Sequence, residues 1–204
     1  PYILKARLSV SPESETTPRI IITAGSTRET IDPVRFVNNI STGYTGASLA
    51  DNFIRNGIPV TYLHSPQTHK PTLLCDCKTF TSAYDLEIKL ERLISENQYD
   101  ALLHLAAVSD YTPETLLRKG KHTPLPLKSK IASGAERITI TFRKTPKIVN
   151  KIKTIALNKR LKLVAFKFTV SSSIDQQRQA VDNLFTESQA DIVVSNDISN
   201  RIDD

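Results

Sequence analysis

Five short, nearly unbroken apolar runs decide what this chain can fold into: "RIIITA", "VTYLHS", "ALLHLAAV", "LKLVAFKF" and "DIVVSN". Runs of this length, rich in β-branched residues, are the pattern of strands buried on both faces. Segments of helical period lie between them. From Gly46 to Asn56, Leu49, Ala50, Phe53 and Ile54 share a face, and Asn56-Gly57 supplies a stop. "SAYDLEIKLERLISEN" has Ser82 and Asp85 at capping spacing, with Leu86, Leu90, Leu93 and Ile94 facing inward. "TPKIVNKIKTIALN" carries a proline near its start and an Ile148, Ile152, Ile155 stripe, which predicts a third helix. A fourth is expected over 172–189. "ITITF" alternates and reads as an edge strand with one wet face. Strands alternating with helices predict an α/β fold: a Rossmann-like, doubly wound, mostly parallel sheet with helices on both faces.

The segment "SVSPESETTP" predicts a disordered tail or linker over residues 1–18, followed by one domain over 19–204. No apolar run approaches the ~20 residues that span a bilayer, so no membrane partner is expected. Cys75 and Cys77 are too close in sequence to bridge readily. No second Cys/His pair has metal-ligand spacing, so the two read as free thiols of a reducing, cytoplasmic compartment.

The formal net charge of +6 conceals a segregation. Residues 1–114 carry 10 basic and 13 acidic side chains, and residues 115–174 carry 15 basic side chains with Glu136 as the single acid. A block this basic implies a polyanionic ligand or a nucleic-acid face, although most lysines in such a block are ordinary solvated surface. Its front part, Thr112 to Gly134, contains prolines, Arg118, Lys119, Lys121, Lys128 and Lys130, and shows no clear periodicity. It reads as a long basic strap loop, of the length that commonly forms a functional lid.

In a doubly wound sheet, ligands bind beyond the carboxyl ends of the strands. "STGYTG" offers Ser41, Thr42, Gly43 and Gly46 at a helix start, where unpaired N–H groups and the helix dipole favour a phosphate. The same residues also suit a plain Ser/Thr cap. There is no G-K-[ST], so this is not a Walker loop, and no tyrosine has a lysine four residues on, which opposes short-chain dehydrogenase chemistry. After "ALLHLAAV", Asp110 is placed to hold a ribose hydroxyl or a magnesium ion, or simply to cap a turn. Ala106 and Ala107 would let a base approach the backbone. His104, inside an apolar run, reads as a satisfied core histidine.

Taken together, "ITAGSTRETIDPVRFVNNISTGYTG", "AAVSDYTP", "KSKIASG", "RKTPKIV" and "VAFKF…SNDIS" resemble phosphopantothenoylcysteine synthetase, in its single-function bacterial form or as the synthetase half of the bifunctional coenzyme A enzyme. The resemblance covers Arg19 to Ser199. It implies a ligase that joins 4′-phosphopantothenate and L-cysteine through an acyl-nucleotide made from CTP (or ATP) with Mg²⁺. It also implies a homodimer. By position, Asn39 matches the asparagine that engages the pantothenate carboxylate, and Arg35 the arginine that supports it. Lys130, with Lys128 beside it, matches the strap lysine on the nucleotide phosphates. Ser41, Thr42, Gly43 and Gly46 fall at the phosphate-type helix, and Ala106, Ala107, Asp110 and Phe166 around the nucleotide. Gly25-Ser26 stands where relatives more usually carry a glycine pair, Ser129 separates the strap lysines, and "FKFTV" replaces forms ending in Glu-Thr. Relatives continue with a further strand and helix after "SNDISNR", so a truncated carboxyl end is expected. Two rivals remain: a Rossmann oxidoreductase, opposed by the missing strand-linked GxGxxG, and a nucleic-acid-binding module built on 115–174, opposed by its few aromatics.

Overall fold

The computed structural model describes residues 3–6 and 17–198. Strand β1 is Ile3–Ala6 and β2 is Ile20–Ala24. A hairpin of β3 (Arg28–Asp32) and β4 (Arg35–Asn38) precedes helix α1 (Tyr44–Arg55). Then come β5 (Val60–His64), β6 (Asp76–Thr79), α2 (Ala83–Glu96) and β7 (Ala101–His104). Strands β8 (Tyr111–Arg118), β9 (Lys121–Pro124) and β10 (Thr139–Lys144) follow. The chain ends through α3 (Ile152–Ile155), β11 (Lys162–Thr169), α4 (Ile174–Ser188) and β12 (Ile192–Asp197).

The main sheet has the order β1-β12-β11-β7-β2-β5-β6. Every pairing in it is parallel except that of β1 with β12. After β1 the chain enters the middle of the sheet at β2, winds outward through β5 and β6, then returns to β7 and winds the other way. This is the doubly wound arrangement, and it makes β2/β7 the switch point. Both faces of the central strands are covered, so every residue of β2 and β5 is buried. On one face Ile22, Ala24 and Tyr62 pack with Ala47 and Ala50 of α1. On the other, Ile21, Leu63, Leu102 and Leu163 pack with Leu86 and Leu90 of α2, Ile152 of α3, and Val181 and Phe185 of α4.

Three expectations change. Residues 1–18 read as a tail, yet Ile3–Ala6 pairs antiparallel with Ile192–Ser195, satisfying backbone groups on what would otherwise be an open edge; residues 7–16 lie outside the described residues. The strap is not one long loop. β8 and β9 form a hairpin closed by Lys119-Gly120, both at positive φ (48° and 74°), and β10 pairs along the other side of β8. This smaller sheet shares a core of Ile31, Leu116 and Ile131 with the β3–β4 hairpin. Only the stretch after β9, which carries Lys128 and Lys130, remains irregular before β10. "ITITF" is an edge strand, but of this small sheet. Finally, the helix expected from Thr145 is a single 3₁₀ turn, Ile148–Asn150, followed by the four-residue α3. Its Ile148 and Ile152 are buried as the stripe requires, but Lys147 gives no side-chain cap and the β-branched run resists a longer helix.

Candidate functional site

Beyond the carboxyl ends of β2 and β7 the two following loops are laced together. Ala107 N donates to Gly25 O at 2.8 Å and Thr27 N donates to Ala107 O at 3.2 Å. Beneath them Thr23 Oγ1 accepts from Ala106 N at 3.2 Å and lies 2.9 Å from His104 Nδ1. Burial pulls the His104 imidazole down to about 4, so it is a neutral core histidine with a fixed partner. Ala107 therefore closes the floor of the crevice, while Ala106 lines its side.

One wall is the start of α1. Its N-cap is Gly43 at φ 76°, and no side chain of that residue caps the helix. The hydroxyl of Thr42 accepts from Tyr44 N at 3.4 Å, and Ser41 precedes it half-buried. The first-turn N–H groups of Thr45 and Gly46 have no intrahelical acceptor, as at any helix start. The glycines do different work. A Cβ on Gly43 would stand 2.1 Å from Thr68 Cγ2, and one on Gly25 (φ 84°) would stand 2.0 Å from Thr68 Oγ1. Thr68 thus wedges between the two glycine turns, held by Ser65 Oγ at 2.7 Å, which also receives Ser26 N at 3.1 Å. A Cβ on Gly46 would meet Ala24 Cβ at 2.8 Å, so Gly46 lets α1 close onto β2.

The β3–β4 hairpin is inserted between β2 and α1 and leans over the crevice. Its buried Glu29 accepts from Ala83 N at 3.0 Å and Thr112 Oγ1 at 3.2 Å, fixing it to the start of α2 and to β8. At its end Asn38 Nδ2 donates to Ser26 Oγ at 3.3 Å, and Asn39 Nδ2 donates to Val108 O at 3.2 Å. Asn39 therefore bridges from the hairpin to the loop after β7. Arg35 Nη1 donates to Asp32 Oδ2 at 2.8 Å and to Ile131 O at 3.3 Å.

The other wall opens into a cavity of about 350 Å³ between the ends of β7 and β11, the turn at 145–150 and α4. Ala106, Asp110 and Phe166 meet there with Lys147, Asn150 and Asn183. The Asp110 carboxylate pairs with Lys147, and its carbonyl accepts from Thr145 N at 2.8 Å. Asn39, Arg35, Ser41, Thr42, Gly43, Gly46 and Ala107 do not line this cavity, nor do Lys128 and Lys130, which are exposed on the strap. The expected residues thus form two groups on either side of Val108, with the lysines on a third element. Sequence reasoning missed Asp32, Thr68 and Lys147. An aspartate before proline with arginine at i+3 is a turn-forming signal that marks Asp32, and "TPK" after a strand would have placed Lys147 at a strand end. Thr68 had no signal of its own.

Among the described residues, no group of three or more His, Cys, Asp or Glu is arranged to hold a metal ion, and no helix is long and apolar enough to cross a membrane. Cys75 and Cys77 are free, with their sulfurs 3.5 Å apart.

Known proteins share this fold. The chain is 28% identical over 185 residues to the coenzyme A biosynthesis bifunctional protein CoaBC of Thermococcus kodakarensis, covering 91% of this chain and 42% of that protein. It therefore spans less than half the length of that relative. A solved structure of the DNA/pantothenate metabolism flavoprotein from Streptococcus pneumoniae superposes with a TM-score of 0.80 at 27% identity, covering 92% of this chain and 86% of that one. A Cab2 variant in complex with phosphopantothenate-cysteine shares the fold, with a TM-score of 0.66 at 19% identity over 90% of this chain and 74% of its own. The family model of the DNA/pantothenate metabolism flavoprotein C-terminal domain matches residues 16–203, and the chain belongs to that family.

Proposed function

We propose that this protein joins 4′-phosphopantothenate to L-cysteine, activating the pantothenate carboxylate as an acyl-nucleotide made from CTP or ATP. The observation that carries the reading is Asn39, tied to Val108 O across the crevice. It stands between a helix start whose N-cap is a glycine and the cavity of Ala106, Asp110 and Phe166. The relative from Thermococcus kodakarensis is named for coenzyme A biosynthesis, and the Cab2 fold neighbour holds phosphopantothenate-cysteine; both support the substrate pair.

In the first step a carboxylate oxygen attacks the α-phosphorus, and the bond to pyrophosphate breaks with its electron pair leaving on pyrophosphate. In the second the cysteine amine attacks the acyl carbon, the nucleoside monophosphate departs, and the amine gives up a proton as the amide forms. Neither step requires a protein nucleophile. The difficulty is bringing a carboxylate against a triphosphate, so the site must supply positive charge and oriented dipoles where negative charge gathers. The α1 N–H groups, Lys147 and the strap lysines Lys128 and Lys130 fill that need, and Asn39 orients the carboxyl group. No protein carboxylate cluster among the described residues fits Mg²⁺, so such an ion would arrive on the nucleotide's own phosphates. A homodimer belongs to the proposal; the exposed apolar side chains Val34, Phe36, Val37 and Ile40 around the inserted hairpin support it.

The test is pyrophosphate release from phosphopantothenate, cysteine and each of CTP and ATP. Asn39→Asp is expected to abolish amide formation, because a second carboxylate would face the substrate's own. Turnover of that variant within about threefold of the unmodified protein would remove Asn39 from the site and the reading with it.

A further inference from the structure

Asp32 is the most heavily committed carboxylate of the inserted hairpin. Its side chain is fully buried. Oδ1 accepts from Val34 N and Arg35 N, both at 2.9 Å, closing the turn between β3 and β4. Oδ2 accepts from Arg35 Nη1 at 2.8 Å and from Ile131 N at 3.0 Å. The same Arg35 Nη1 reaches Ile131 O at 3.3 Å. Both backbone groups of one strap residue are therefore gripped by one ion pair, and the Ile131 side chain is buried with Ile31 and Leu116. The residue immediately before this anchor is Lys130.

We infer that Asp32 is the positioning residue of the strap: with Arg35 it clamps Ile131 and thereby fixes where the strap presents Lys130. The inference rests on the ligase reading for its catalytic half. Arg35 takes a different part from a direct substrate ligand, since the atom that pairs with Asp32 also holds the strap. Its side chain is 41% exposed, so the rest of the guanidinium remains open to an anion. Asp32→Asn separates these functions. The amide oxygen can still close the turn through Val34 N and Arg35 N, but an amide NH₂ set against Ile131 N opposes donor to donor, and the charge that holds Arg35 is gone.

The Lys130–Ile131 bond is itself a probe, because its N–H is the one Asp32 holds. Trypsin applied to the native full chain is expected to cut after Lys130 at least tenfold faster in Asp32→Asn. Cutting after Lys159, in the turn before β11, should stay unchanged. Equal acceleration at both bonds would mean general loosening and would overturn the inference, as would an unchanged rate after Lys130. A second arm measures kcat/KM for nucleotide-dependent pyrophosphate release. Asp32→Asn and Lys130→Gln are each expected to lower it about tenfold. Their combination should fall less than threefold further, because each removes the same placed charge. Losses that multiply to about a hundredfold would assign Asp32 a role independent of Lys130 and overturn the positioning claim. If the unmodified protein releases no pyrophosphate with either nucleotide, the ligase reading fails by itself, and the cleavage ratio alone decides whether Asp32 holds the strap.

Discussion

Gly43 shows how narrowly the start of α1 is specified. Its φ of 76° lies in the left-handed region, and the space a side chain would need is occupied by Thr68. Gly43→Ala therefore meets two penalties, a backbone cost of about 1–2 kcal/mol and an overlap cost of similar size. We expect a loss of roughly 2–4 kcal/mol in urea unfolding. The two parts can be separated. Thr68→Ser deletes the Cγ2 methyl that would lie 2.1 Å from the new alanine Cβ, while keeping the hydroxyl bonded to Ser65. In the Thr68→Ser background Gly43→Ala should recover the overlap part and retain the backbone part; equal losses in both backgrounds would show that Thr68 is not the obstacle. Gly25 leans on the same threonine, so the two turns flanking the crevice share one support. None of this was visible in "STGYTG", where Gly43 and Gly46 look equivalent. The difference appears only when β5 and the loop after it are folded beneath them.

At the scale of elements, what could be read in the sequence follows from where the periodicity came from. β2, β5, β7, β11 and β12 were legible because burial on both faces leaves a continuous apolar run. α1 and α2 were legible because each carries an apolar stripe beside a stop or a capping signal, and α4 opens on a full capping box of Ser173 and Gln176. The small sheet was not. β8 contains Pro113 and is half-wet, and β10 is exposed along almost its whole length, so neither shows a strong period. The overlooked signal was Lys119-Gly120, a two-residue turn with both φ positive, as a hairpin of type I′ requires. Lysine is a poor choice for its first position and asparagine a good one. Lys119→Asn is expected to stabilise the protein by about 0.5–1 kcal/mol. A destabilising change, measured by urea unfolding, would show that this turn is not the one closing β8 to β9.

For the whole molecule, chain order and space diverge at the candidate site, and that divergence limits what sequence can say. The hairpin residues Arg35 and Asn39 with the helix start at Gly43, the loop at Ala106–Asp110, and Phe166 come from three separate stretches. Their types could be named in advance, but their division into a crevice and a neighbouring cavity could not. Charge follows the same logic. The basic block of 115–174 looked like one surface, yet folding distributes it. Lys147 enters the cavity wall beside Asp110, Lys151 pairs with Glu87 of α2, and Lys153 and Lys162 pair with Asp191 before β12. Of this block the proposed nucleotide site uses only Lys128, Lys130 and the paired Lys147, while others, such as Lys121, Arg143 and Lys144, sit on the small sheet. This separates a nucleotide site from an extended nucleic-acid face. A long polyanion crossing the whole block would lose affinity steeply with salt, with a slope of about −0.9 per neutralised duplex phosphate. A triphosphate held by two or three lysines should respond gently. Raising salt from about 50 to 200 mM should increase the nucleotide KM several-fold by screening the approach. It should leave kcat nearly unchanged, because charges already in contact inside a cavity are screened far less than exposed ones. A KM indifferent to salt would mean that the basic block does not act on the nucleotide. A kcat that falls in step with KM would mean that the strap lysines still face open solvent when the bond is made.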